Sequence, residues 1–125
     1  MLIYDHRGGL SRVGRYYIEY YWNGNRCPVD NFVQSKDRKG MAKIDFFMDL
    51  LMEYGPNLQR PYAAYLRNKI WELRPGINDQ NYRLFYFWIN NKAVFVHAVD
   101  KKDFVQKDID IAEKRMKEIL QYLKR

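Results

Sequence analysis

The chain has 125 residues, 47% of them hydrophobic and 17% aromatic, and its formal net charge is +7 at pH 7. This composition excludes an intrinsically disordered chain, and no apolar run approaches the roughly 20 residues that a membrane-spanning helix requires. The positive charge favours a polyanionic partner such as nucleic acid, an anionic membrane surface or an acidic protein.

The sequence predicts a loose N-terminal extension followed by one domain. Residues 1–14 contain three glycines and lack a clear hydrophobic period, whereas residues 15–125 are long enough to bury a single core. No apolar block follows the basic residues near the start, so we expect no signal peptide. Cys27 is the single cysteine and has no partner for an intrachain disulfide. Because such cysteine usage is typical of a reducing compartment, we expect a cytoplasmic protein.

The first half of the domain predicts one strand and two helices. Residues 15–22 are rich in aromatic residues and precede an Asn-Gly-Asn turn signal, which favours a strand. Pro28 is suited to begin a short helix, because proline is tolerated at the first helical position. Asp37 is a suitable N-cap for a second helix, whose apolar positions recur at helical spacing as far as Gly55-Pro56.

The second half predicts a connector, three strands and a helix. Residues 61–67 predict a polar connector, and residues 69–74 predict a strand closed by a Pro-Gly pair. Residues 81–89 and 92–99 predict a hairpin around an Asn-Asn turn. The last segment predicts an amphipathic helix with the apolar stripe Ile109, Ala112, Met116, Ile119 and Leu123. The order β-α-α-β-β-β-α predicts an α+β domain with a mostly antiparallel sheet. Both faces of the last two strands are apolar, which predicts cover on each side by the helices or by a partner.

Positive charge recurs at one end of the predicted sheet. Arg74 ends its strand, Arg83 lies near the start of the next, and Lys101 and Lys102 follow the last. Because an antiparallel strand begins beside the end of its neighbour, these side chains are expected to converge. Arginine forks and lysine ammonium groups bind phosphate oxygens, so the set indicates a site for an RNA backbone. Solvated strand ends that oppose aggregation are the alternative interpretation.

Aromatic residues alternate with these charges. Tyr82 and Tyr86 are expected to expose their hydroxyl groups, whereas Phe85 and Phe87 are expected to lie in the core beside Arg83. Aromatic rings beside cations also suit single-stranded nucleic acid. No spacing of His, Cys or carboxylate residues predicts a metal site. A histidine inside an apolar strand, at position 97, is more typical of a hydrogen-bonded core residue than of a catalyst.

Each of several short motifs is weak evidence for a family by itself, but their order and spacing together are specific. They are Asn23-Gly24-Asn25 followed by Pro28-Val29 and Phe32, Tyr54-Gly55-Pro56, Arg60-Pro61-Tyr62, Trp71-Glu72-Leu73-Arg74, Tyr82-Arg83-Leu84-Phe85-Tyr86, His97 and Lys101-Lys102. From residue 17 to residue 123 the chain resembles RelE-superfamily toxins of the HigB, phage-derived type. These are small ribosome-dependent messenger RNA endonucleases of type II toxin–antitoxin systems. The resemblance implies a RelE-like fold and that activity.

The resemblance also implies which residues act. RNA supplies its own nucleophile, the 2′-hydroxyl, so the reaction would be independent of metal and would need no cofactor. The implied catalytic residues are Arg74 and Arg83, which would bind the phosphate, and Lys101 or Lys102, which would carry the proton. Tyr86 and His97 are further candidates for the acid or base. The candidate RNA-binding residues are Lys69, Glu72, Tyr82 and Lys92, with Glu72 a further reserve for acid–base duty.

The partners implied by the resemblance are messenger RNA on the ribosome and a cognate helix-turn-helix antitoxin of the HigA-like type. Operator DNA would be contacted indirectly through the antitoxin, and no membrane is involved. The chain departs from the family pattern at Ala98-Val99, at Asp100 and in lacking a Thr-Pro pair before the last helix. A catalytically degenerate RelE-like protein, which binds an antitoxin or RNA without cleavage, is therefore the alternative. An unrelated basic single-strand binder is a third hypothesis.

Overall fold

The computed structural model describes residues 15–76, 79–103 and 105–124. Within these ranges the chain forms three α-helices and one five-stranded mixed sheet, so the predicted α+β class is confirmed. The elements are β1 (Tyr17–Tyr20), α1 (Pro28–Gln34), α2 (Arg38–Tyr54), a 3₁₀ turn (Gly55–Asn57), β2 (Ala63–Arg67), β3 (Ile70–Leu73), β4 (Tyr82–Ile89), β5 (Lys92–Asp100) and α3 (Gln106–Leu123). The predicted extension, residues 1–14, lies outside the described residues, so the domain boundary stays a prediction.

The sheet has the strand order β1-β5-β4-β3-β2. The pairs β2–β3, β3–β4 and β4–β5 are antiparallel, whereas β1 pairs with β5 in parallel. Among the described strands, β1 therefore lies beside β5, which comes last in the sequence, and forms one edge of the sheet. The ladder between β4 and β5 shifts register between Phe85 and Tyr86, which is the signature of a β-bulge.

The prediction of a connector over residues 61–67 is wrong in its second part, because Ala63–Arg67 is strand β2. Its partner β3 follows after two residues, Asn68 and Lys69, which have φ angles of 49° and 74°. Two consecutive positive φ angles are typical of the tight turn that joins a β-hairpin. The sequence hides this hairpin because the turn contains no glycine and Ala63 and Ala64 have low strand propensity. Pairing with β3 determines the conformation instead.

The boundaries of α2 follow from local chemistry, as predicted. The Asp37 side chain accepts a hydrogen bond of 2.8 Å from the Gly40 backbone N–H, which satisfies one of the free donors at the helix start. Gly55 ends the helix with a φ angle of 58°. A Cβ atom at Gly55 would lie 2.3 Å from the ring of Tyr16, so the close approach of that ring also requires glycine.

Helices cover both faces of the sheet. One core cluster joins α1 and α2 to the face that carries Tyr82, Leu84 and Tyr86, and a second joins α3 to the face that carries Phe85 and Phe87. The predicted stripe of α3 is buried as far as residue 119, but the last member is 53% exposed. The inclusion of Leu123 was wrong because the apolar contact with the sheet ends before the final helical turn. None of the described helices combines the length and apolar character that a bilayer span requires.

Candidate functional site

A cleft of about 450 Å³ opens at the end of the sheet where β2 begins, β3 ends and β4 begins. Among the described residues, its lining includes three arginines, Arg60, Arg74 and Arg83, together with Asn81 and Tyr82. The strand register explains this arrangement, because Leu73 of β3 pairs with Leu84 of β4 and so brings the ends of the two strands together. The cleft therefore offers planar cationic forks at one end of an otherwise apolar sheet.

Glu72 joins two of these arginines. Its side chain is buried, and one carboxylate oxygen lies 3.3 Å from Arg74 Nε while the other lies 3.3 Å from Arg83 Nη1. Glu72 pairs with Phe85 in β4 and with Ala64 in β2, so the ladder fixes its position. The carboxylate cancels part of the positive charge and sets the spacing of the two guanidinium groups.

Arg83 is held by the protein at several points. Besides the contact with Glu72, its Nη2 donates a hydrogen bond of 3.1 Å to the carbonyl oxygen of Lys102. Only 14% of the Arg83 side chain is exposed, and its buried Nε has no hydrogen-bond partner within the described part of the chain. Arg83 thus connects β4 to the segment between β5 and α3.

A second polar network lies on the α3 face of the sheet. Asp108, buried in the first turn of α3, accepts hydrogen bonds of 2.8 Å from Lys101 Nζ and from His97 Nε2. Arg115 Nη1 lies 3.3 Å from His97 Nδ1 and donates to the carbonyl oxygen of Val96 at 2.8 Å. Because a guanidinium group has no acceptor, Nδ1 must accept and Nε2 must carry the proton of a neutral imidazole.

The electrostatics of this network agree with that tautomer. Burial disfavours the imidazolium ion and lowers the pKa of His97; the hydrogen bond to Asp108 partly opposes this, and the charge of Arg115 adds to the lowering. Burial alone would raise the pKa of Asp108, but the hydrogen bonds from Lys101 and His97 outweigh it, so this pKa falls below its ordinary value. At neutral pH the pair is an ionised carboxylate beside a neutral imidazole.

The four predicted cations meet at the same end of the sheet, but they do not share one pocket. Arg74 and Arg83 line the cleft, whereas the Lys101 ammonium group is held by Asp108. The carbonyl oxygen of Lys102 accepts a hydrogen bond from Arg83, and Lys102 is exposed. The catalytic roles of all four residues stay predictions.

The side chains of Tyr82 and Tyr86 are largely buried. Tyr82 is 4% exposed and Tyr86 is 1% exposed, so the prediction of an exposed hydroxyl is wrong for Tyr86, whereas Tyr82 lines the cleft. Both point to the face that α1 and α2 cover, and burial raises the pKa of each phenol. Tyr86 packs against the rings of Trp71 and Phe95. The reserve role of Tyr86 in catalysis therefore has no support in the structure.

Two candidate RNA-binding residues lie at the other end of the sheet. Lys69 is in the turn between β2 and β3, and Lys92 begins β5, where its ammonium group lies 3.6 Å from Glu19. At about 3.3 Å per strand residue, Lys69 is roughly 16 Å along β3 from Arg74. The structure therefore does not bring Lys69 and Lys92 to the cleft, because both lie at the hairpin turns, which are at the opposite end of the sheet.

Sequence reasoning missed Arg60, Asp108 and Arg115 as parts of these sites. Asp108 lies one turn before Ala112, so a carboxylate on the apolar stripe of α3 was the available signal. Asp100, one of the departures from the family pattern, pairs with Tyr82 and accepts a hydrogen bond of 2.9 Å from the Asn81 backbone N–H. Strand alternation directs it to the face opposite Arg83. No group of three or more His, Cys, Asp or Glu side chains within the described residues gathers as metal ligands.

The match to a known protein family covers the whole cleft. Residues 31–117, which are 87 of the 125 positions, match the family described as Phage derived protein Gp49-like (DUF891). The matched range includes α2, strands β2 to β5, the three arginines of the cleft and most of α3. No curated protein shows a significant match to the chain. The chain belongs to the phage-derived Gp49-like family.

Proposed function

We propose that this chain is the toxin of a type II toxin–antitoxin system, a HigB-like member of the RelE superfamily that cleaves messenger RNA on the ribosome in the cytoplasm. Membership of the Gp49-like family, a family of type II toxins, supports the toxin assignment. The observation that carries the nuclease assignment is the cleft lined by Arg60, Arg74 and Arg83. Such a cleft suits a phosphodiester, because guanidinium groups donate two parallel hydrogen bonds to phosphate oxygens.

The reaction requires little covalent chemistry from the protein. The 2′-oxygen of RNA attacks the adjacent phosphorus, the bond to the 5′-oxygen breaks, and the products are a cyclic phosphate and a 5′-hydroxyl. One proton passes from the 2′-hydroxyl to water, and one passes from a proton donor to the departing 5′-oxygen. The arginines stabilise the charge that develops on the phosphorane oxygens. Lys102, whose ammonium group is exposed, is the proposed proton donor; Lys101 is held by Asp108 and adds positive charge.

We propose that cleavage depends on the ribosome because the described residues near the cleft offer few free bases. Both ring nitrogens of His97 are engaged, Tyr86 is buried, and Glu72 is paired with two arginines. A catalyst that stabilises charge but lacks a free general base needs a substrate that is already oriented for in-line attack. We propose that the ribosome supplies that orientation.

The same scarcity favours a second candidate function. A degenerate member of the family would keep the arginine cleft for binding an antitoxin or RNA and would cleave nothing. In both cases we propose a helix-turn-helix antitoxin as the partner. Its contact surface is expected to be acidic where it covers the cleft, because complementary charge accelerates association.

Induction in growing cells, combined with mapping of cleaved messages in a ribosome-containing extract, tests the proposal. The parent chain is expected to arrest growth and cut messages, and Arg74→Ala is expected to reduce cleavage about 100-fold or more, as loss of a transition-state donor does. Lys117→Ala, a substitution at an exposed position of α3, is the matched control and should behave as the parent. Equal cleavage by the parent and Arg74→Ala would contradict the assignment of the site. Intact messages together with tight antitoxin binding would select the degenerate protein.

A further inference from the structure

We propose that the arginines of the cleft act in two ways, a division of roles that rests on the proposed RNA-binding function. Arg60 and Arg74 contact the RNA phosphate, whereas Arg83 is a positioning residue that acts with Glu72 to hold Arg74. This differs from the expectation that Arg74 and Arg83 bind the phosphate together, and it adds Arg60, for which the sequence had suggested no role. The assignment follows from how each guanidinium group is engaged.

The donors of Arg83 are directed into the protein. Nη1 binds Glu72, Nη2 binds the Lys102 carbonyl oxygen, and Nε is buried. A guanidinium group whose fork is shared between a side chain and a carbonyl oxygen cannot also present that fork to a phosphate. Removing Arg83 would leave the buried Glu72 carboxylate with one cationic partner instead of two.

Arg74 is engaged on one edge only. Its Nε pairs with Glu72 at 3.3 Å, and within the described residues nothing else binds its guanidinium group. The side chain is 40% exposed and lines the cleft. The contact through Nε fixes the plane of the guanidinium group and leaves Nη1 and Nη2 for two phosphate oxygens, which is the geometry of a preorganised bidentate site.

Arg60 lies in a turn that is joined to Arg74 through the backbone. The Gln59 carbonyl oxygen accepts hydrogen bonds from the N–H groups of Tyr62 and Ala63 at 3.0 and 3.2 Å. The Tyr62 carbonyl oxygen in turn accepts a hydrogen bond of 2.9 Å from the Arg74 N–H. Arg60 is exposed, lines the cleft, and makes no hydrogen bond or ion pair within the described part of the chain. A hydrogen-bonded turn therefore presents an unengaged guanidinium group to the cleft that Arg74 also lines.

The charge balance supports the same division. Glu72 and Arg83 cancel formally, so the positive charge that remains in the cleft is that of Arg60 and Arg74. Negative charge on the phosphate increases as the phosphorane forms, and these two groups are the ones free to approach it. The cleft thus consists of a neutral buried frame and an exposed cationic pair.

The salt dependence of RNA binding separates direct phosphate contacts from positioning. The probe is a fluorescent single-stranded RNA with 2′-O-methyl groups, which cannot be cleaved. Each phosphate contact contributes about 0.7 to the slope of log K against log salt for a single strand. Arg60→Ala and Arg74→Ala should each reduce the slope by about that amount, and Arg60→Ala should leave Tm unchanged. Arg83→Gln should lower Tm and weaken binding while leaving the slope as in the parent, and Lys117→Ala should change neither quantity.

A double substitution distinguishes positioning from a general structural role. If Arg83 acts through Arg74, Arg83→Gln weakens RNA binding in the parent but has little further effect in the Arg74→Ala background. A merely structural role predicts the same loss in both backgrounds and would overturn this part of the inference.

The remaining outcomes separate the inference from the function on which it rests. Binding and cleavage by the parent, with Arg60→Ala indistinguishable from Lys117→Ala or with Arg83→Gln reducing the slope by about 0.7, would overturn the division of roles alone. A parent that neither binds the probe nor cuts messages on the ribosome would overturn the proposed function and this inference together.

Discussion

Charged side chains within the sheet and at the start of α3 are stabilised in pairs. Glu72 lies between Arg74 and Arg83, and Asp108 lies between His97 and Lys101. Glu72 and Arg83 are both largely buried, and removing one member of such an ion pair typically costs about 3–5 kcal/mol, because the other charge is left without compensation. The polar residues at these positions therefore have structural constraints of their own, apart from any catalytic role.

The first prediction concerns His97 and pH. Because the folded chain holds the pKa of His97 below its ordinary value, the unfolded chain binds a proton first as the pH falls. The contribution of His97 to stability should be fully present above about pH 6.5 and should decline as the pH falls from there through the folded-state pKa. Thermal unfolding measured from pH 8 to pH 5 should show this decline.

His97→Gln is the control for that measurement. Glutamine can donate to Asp108 and accept from Arg115, but it does not titrate, so the decline should be smaller in this variant. Protonation of Asp108 should reduce stability only at lower pH, because its folded-state pKa is below that of an ordinary aspartate. An unchanged pH profile in His97→Gln would contradict the assignment.

For individual residues, the sequence predicted the positions of side chains that follow from strand pairing and alternation. It missed the positions that depend on which face of the sheet a helix covers. The approach of Arg74 to Arg83 follows from antiparallel register, which the hairpin signals allowed us to assign. The burial of Tyr86 depends on α2 packing over its face, and a pattern of alternating aromatic residues does not reveal which face a helix will cover. Asp108 was missed because a charged residue near a helix start is usually solvated.

Among the elements, the β2–β3 hairpin is the one whose local sequence agrees least with its structure. Its two-residue turn places Lys69 at a φ angle of 74°, which a residue with a Cβ atom adopts only at a cost. The hairpin forms because β2 pairs with β3 and because Arg67 binds Glu113 and Asp110 of α3 at 2.7 and 2.6 Å. Contacts made by the rest of the fold thus outweigh an unfavourable turn.

The second prediction is that Lys69→Gly stabilises the protein. Glycine adopts the positive φ angle freely, so we expect a gain of roughly 1 kcal/mol in the free energy of unfolding. The hydrogen bond from the residue 69 backbone N–H to the Tyr65 hydroxyl, at 3.0 Å, is retained. Chemical denaturation measures the gain. RNA binding should not change, since this turn lies far from the cleft, and a loss of binding would restore Lys69 as an RNA contact.

The third prediction concerns the end of α2. Gly55→Ala combines a positive φ angle with a clash against the Tyr16 ring, so we expect a loss of more than about 2 kcal/mol. Gly24→Ala is the matched comparison, because Gly24 has a φ angle of 63° but nothing within 4 Å of its Cβ position. It should cost only about 1 kcal/mol. Similar losses in the two variants would show that the ring contact is unimportant.

For the whole molecule, the sequence predicted the α+β class and most elements but not the order of the strands. Hairpin signals identify neighbours that are adjacent along the chain, such as β4 and β5. The parallel pair of β1 and β5 joins strands separated by about 70 residues, and no local signal specifies it. The mixed character of the sheet therefore became visible only in the structure.

The fourth prediction tests how much the fold depends on β1. Ile18 and Tyr20 are buried, and β1 covers the edge of β5. A chain that begins at Asn23 should lose cooperative thermal unfolding and aggregate, because the apolar edge of β5 becomes exposed. A chain that begins at Arg15 is the control and should keep the Tm of the full chain if residues 1–14 are an extension. Cooperative unfolding of the shorter chain would contradict the prediction.

The pairing of β1 with β5 also has a consequence for biosynthesis. During translation the earliest strand has no neighbour until residues 92–95 have been polymerised and have left the ribosome. Pairings between segments distant in sequence form slowly, because closing a long loop costs entropy before any contact is gained. The finished sheet therefore arises only after β5 has emerged. If the proposed activity is correct, a nascent copy cannot attack the message from which it is being read before that strand has left the ribosome.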